Sequence, residues 1–97
     1  MKYNQASLNK IEKMLGEAEY VLRYERGTFQ SGYCILEDRK VVVLNKFLQL
    51  EGRLNTLLDI LPELKIDIES LSEEGKATHL QMQEELIDKQ SSQIVKP

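Results

Sequence analysis

One thiol, one imidazole and a few carboxylates are the side chains from which this chain could assemble covalent or metal chemistry. Cys34, within "SGYCILEDRKVVVLN", would serve as a nucleophile if a neighbouring base lowered its pKa, and His79 is the sole imidazole for that task. A cysteine in the middle of an apolar strand is more often a small buried hydrophobe, and His79 sits on a polar helix between Thr78 and Leu80. Metal binding requires several ligands to converge. Asp59 and Glu63, spaced i,i+4, form with His79 the one candidate set, and Pro62 between the two acids disturbs their shared face. Gly27 and Gly32 bracket a hairpin loop and do not lead a strand into a helix, so they make no phosphate cradle. The residues name no catalytic group and call for no cofactor.

The elements that would position these groups follow from periodicity. Leu8, Ile11, Leu15 and Ala18 recur at helical spacing, with Asn4 or Ser7 as cap, and predict a first helix over residues 5–18. "YVLRYERG" alternates with the period of a strand and ends at Gly27; "GYCILE" and "KVVVLN" then read as a hairpin about Asp38-Arg39. Symmetric pairing sets Glu37 opposite Lys40, Leu36 opposite Val41, Ile35 opposite Val42, Cys34 opposite Val43 and Tyr33 opposite Leu44. One face then carries Cys34, Leu36, Val41 and Val43, and the other Tyr33, Ile35, Val42 and Leu44. Both are apolar, so both need covering.

Leu50, Leu54, Leu57, Leu58 and Leu61 mark a second helix over residues 48–61, which Pro62 discourages from continuing. Ser72 followed by Glu73-Glu74 starts a third helix to about Lys89, with Ala77, Leu80, Met82, Leu86 and Ile87 as a thin stripe. The expected fold is α+β, in the order α-β-β-β-α-α, with a three-stranded antiparallel sheet and helices packed on it. Residues 1–90 form one domain and 91–97 a flexible C-terminal tail.

Composition bounds the function. A chain of 97 residues with 41% hydrophobic and 30% charged residues builds one modest core and no second lobe around a cleft. The net charge is −3, and residues 46–97 hold ten acids against six bases, which disfavours nucleic acid; a local patch of Arg23, Arg26, Arg39 and Lys40 is the exception to weigh. A single cysteine, no apolar run of signal-peptide length in "MKYNQASLNKIEKML" and no membrane-length segment predict a cytoplasmic protein without a membrane partner.

Two resemblances bear on this. "VVVLNKFLQLEGRLNTLLDILPEL" resembles the strand-then-helix segment of minimal zinc metallopeptidases, whose helix carries T-x-x-H-E-x-x-H. Thr56 matches the threonine, while Asp59, Ile60 and Glu63 stand where the first histidine, the glutamate and the second histidine belong. The resemblance implies the scaffold, and the departures remove the imidazoles and the base that the zinc mechanism needs. The whole chain is also similar to a group of short bacterial proteins sharing the "GYCILEDRKVVVLNK" and "LDILPEL" segments, which brings no activity with it. The preferred reading is a non-enzymatic interaction or regulatory module, homodimeric, using Tyr33, Ile35, Val42 and Leu44, with Phe29 at the tip of the Gly27–Gly32 loop beside Arg26. The alternative is a degenerate metallopeptidase-like protein with a residual hydrolase or metal-binding role through Asp59, Glu63 and His79 or the Cys34 thiol.

Overall fold

The structure, a computed structural model, describes residues 1–26, 33–36 and 39–94, with residues 33–36 and 89–94 described by their backbone. Helix α1 (Gln5–Glu17) begins at Asn4, whose Oδ1 accepts the Ser7 N–H at 2.9 Å, the side-chain cap that an orphan amide of the first turn requires. Strands β1 (Val21–Glu25), β2 (Tyr33–Leu36) and β3 (Val41–Asn45) follow, then α2 (Leu50–Ile60), two 3₁₀ turns (Leu61–Glu63 and Ile68–Ser70) and α3 (Glu73–Ile94). Pro62 acts as expected: α2 stops at Ile60 and the chain tightens into the first 3₁₀ turn. α3 runs past Lys89 to Ile94.

The chain is α+β, but the expected all-antiparallel sheet is corrected. The strand order is β1-β3-β2, with β1 parallel to β3 and β2 antiparallel to it. Within the β2/β3 hairpin the symmetric register holds, with Tyr33 opposite Leu44, Cys34 opposite Val43, Ile35 opposite Val42 and Leu36 opposite Val41. What differs is the place of β1, which leaves a gap that β3 fills. Val42, Val43 and Leu44 are buried in succession, the pattern of a strand with neighbours on both sides, whereas β1 has two exposed positions, Val21 and Arg23. The central position therefore goes to the more apolar strand.

Lys40 fixes this arrangement at the corner of the sheet. It adopts a left-handed conformation (φ 52°), its carbonyl accepts the Val21 N–H at 2.9 Å, and its Nζ donates to the Ala18 carbonyl at the end of α1 at 2.9 Å. One residue thus starts the β1/β3 ladder and satisfies a helix C-terminus. Glu37, expected to pair with Lys40, lies outside the described residues, as does Phe29.

α1 ends in a Schellman motif: the Tyr20 N–H donates to the Leu15 carbonyl at 2.9 Å and the Glu19 N–H to the Gly16 carbonyl at 3.0 Å, with Glu19 at φ 67°. Tyr20 then enters the core. That core lies on one side of the sheet: Leu8, Ile11, Met14 and Leu15 of α1, Leu54, Leu57 and Leu58 of α2 and Met82 of α3 close over Val42 and Leu44. The third helix packs on α1 and α2 of its own chain. Its buried stripe is Gly75, Thr78, His79 and Met82, with Ala77, Leu80 and Ile87 of the expected stripe facing water.

Candidate interaction surfaces

Register partners share a side of the sheet, so the core side holds Leu22, Tyr24, Val42 and Leu44, and the opposite side holds Val21, Arg23, Glu25, Val41, Val43 and Asn45. Val42 and Leu44, two of the five residues expected to bind a partner, are fully buried in the core. Tyr33 and Ile35 are their register partners. Among the described residues, the other side contributes nothing to the core cluster. There Val21 is 52% exposed beside Val41, and Val43 is buried without belonging to the core cluster. Arg23 Nε and Glu25 Oε2 form an ion pair at 2.9 Å on the same strand, which leaves this side charge-balanced.

Cys34 is the register partner of Val43, whereas His79 belongs to the buried stripe of α3, which packs on α1 and α2. His79 is buried in that stripe, and burial pushes its pKa below the ordinary 6.5. Asp59 and Glu63 are exposed, and α2 ends between them. Among the described residues no three His, Cys, Asp or Glu side chains converge as a metal site. A shallow groove of about 320 Å³ lies over the start of α1, lined by Lys2, Asn4, Ser7, Lys10 and Gln81 among others. It contains no carboxylate or imidazole to act as a base.

A second surface forms where the two parallel strands end together. The Lys46 N–H donates to the Glu25 carbonyl at 3.0 Å, so the residues after each strand, Arg26 and Lys46, are neighbours. Phe47, 64% exposed, has the Arg26 guanidinium 5.7 Å and the Lys46 ammonium 5.5 Å from its ring centroid. Asn45 Oδ1 accepts the Phe47 N–H at 3.0 Å, and the Leu48 N–H donates to the Asn45 carbonyl at 3.0 Å, closing the turn. Arg53 of α2 ties the turn down, donating to the carbonyls of Leu48 at 2.9 Å and Lys46 at 3.1 Å. Its guanidinium lies 4.4 Å from the Tyr24 ring centroid. Tyr24 in turn donates its hydroxyl to Glu12 Oε2, and its pKa is raised, chiefly by burial and then by that carboxylate. A phenol held this firmly protonated is a structural donor and a poor base. Sequence analysis does not single out Phe47; the available signal is an aromatic next to a lysine in the turn after β3.

Comparison of the chain with protein-family models, curated proteins and solved structures returned no match. No helix of the described residues is long and apolar enough to cross a membrane.

Proposed function

We propose that the protein is a non-enzymatic interaction module of the cytoplasm that pairs with a second copy of itself through the sheet side bearing Val21, Val41 and Val43. The observation that carries this reading is the half-exposed Val21 beside its register partner, the partly buried Val41, on the side from which the core cluster is absent. An apolar sheet side gains stability by being covered, at roughly 25 cal/mol per Å² of apolar area removed from water. The Arg23–Glu25 pair favours a second copy over an unrelated partner. In an interface with two-fold symmetry each patch meets itself, so the arginine of one copy can face the glutamate of the other without net repulsion.

Light scattering or native mass spectrometry across a concentration series tests this. The expected result is a dimer at micromolar concentration and a shift to monomer in Val21→Lys, which inserts a charge at the most exposed valine of the patch without disturbing the core. A chain that stays monomeric throughout, or a Val21→Lys variant that dimerises as well as the parent, would overturn it.

A further inference from the structure

We propose that Phe47, Arg26 and Lys46 form a docking anchor for a short acidic peptide segment of a partner protein, whose carboxylates meet the two cations while an apolar side chain covers the ring. The choice of occupant rests on charge complementarity. The chain as a whole is at −3, yet these two cations flank one exposed ring, and among the described residues neither has a carboxylate partner. Glu25, the nearest acid in sequence, is taken by Arg23.

Presentation supports the same conclusion. The Asn45 turn and the two Arg53 hydrogen bonds fix the backbone beneath Phe47, so little ordering entropy remains to be lost when a partner arrives. Exposed aromatics and arginines on a fixed backbone are the residue types that carry most binding energy at interfaces. A single-stranded nucleic acid would ask for a basic track along several phosphates and more than one stacking ring, and this surface offers one ring and two cations.

This surface goes beyond the pairing of two copies proposed above. Val21 and Val41 lie at the beginnings of the parallel strands, Arg26 and Lys46 just past their ends, about 16 Å away at ~3.3 Å per residue. The test is fluorescence anisotropy on the full chain with a short labelled peptide alternating glutamate and leucine, a labelled oligothymidylate, and phosphatidylserine vesicles as separate probes. The peptide is expected to bind saturably, more weakly as salt rises, with affinity about tenfold lower in Phe47→Ala and in the Arg26→Gln, Lys46→Gln double variant. The Val21→Lys variant is expected to bind it like the parent chain, which separates this surface from the dimer reading. Absence of saturable peptide binding, binding that survives both substitutions, or preference for the oligothymidylate or the vesicles would overturn the proposal.

Discussion

Glu19 sits at the left-handed position of the Schellman motif, where a Cβ approaches the following carbonyl and glycine is the usual occupant. Glu19→Gly is therefore expected to stabilise the fold by up to about 1 kcal/mol, the relief of strain outweighing the greater freedom of glycine in the unfolded chain. Chemical denaturation of the two proteins side by side checks it; a lower midpoint in the variant would contradict it. The next residue acts in the opposite sense. Tyr20 is buried and its Oη accepts the Lys65 N–H at 2.7 Å, joining the end of α1 to the segment after α2. Removing that acceptor in Tyr20→Phe leaves the amide to find water and is expected to cost about 1 kcal/mol. Hydrogen exchange at Lys65 should rise in that variant if the bond is what protects the amide.

Between elements, the junction of α1 with α3 depends on one carboxylate. Glu17, at the end of α1, accepts from the Ser72 N–H at 3.1 Å and the Ser72 hydroxyl at 2.8 Å, while Ser72 Oγ accepts the Gly75 N–H at 3.0 Å. These bonds favour the ionised form and hold the Glu17 pKa below its usual 4.5, with the two Ser72 contacts as the leading cause. Gly75 makes the approach possible, because a Cβ there would lie 2.2 Å from Glu17 Oε1 and 3.2 Å from Leu71 Cβ. In Gly75→Ala the flexible carboxylate swings away, and the better helix propensity of alanine offsets the loss. The midpoint near neutral pH is expected to stay close to that of the parent, while the acid-sensitive contribution of Glu17 disappears. Urea midpoints at neutral pH and at about pH 3.5 separate the two effects.

At the scale of the molecule, two groups among the described residues are shifted in the direction that makes stability sensitive to acid. Glu17 is depressed in the folded state, so its contribution is complete above 4.5 and is lost as pH falls through the folded value. His79 is also depressed, by burial. Above 6.5 both states hold it neutral, and below 6.5 the unfolded chain takes the proton first, so stability declines as pH falls. Both act with the same sign in successive windows, and a two-stage loss is expected on acidification. His79→Gln should flatten the upper stage alone and Glu17→Gln the lower. Midpoints followed by circular dichroism across the pH series would contradict this if either variant left both stages intact.

The order of elements, the Ser72 start of α3, the stop at Pro62 and the β2/β3 register were legible in the sequence, because each rests on neighbours in the chain or on a pairing that is symmetric about one turn. The sequence also showed that both sides of the hairpin are apolar. It could not say which side belongs to the core, since Val42 and Val43 are the same residue type and a strand alone has no inside. The choice is made by packing, which sets α1, α2 and α3 over Val42 and Leu44 and leaves Val43 outside the core cluster. The tertiary structure also placed β1 beside β3, because the Lys40 corner joins the end of α1 to both strands. The turn glycines after β1 were compatible with either neighbour, and the bonds that choose between them link residues about twenty positions apart in sequence.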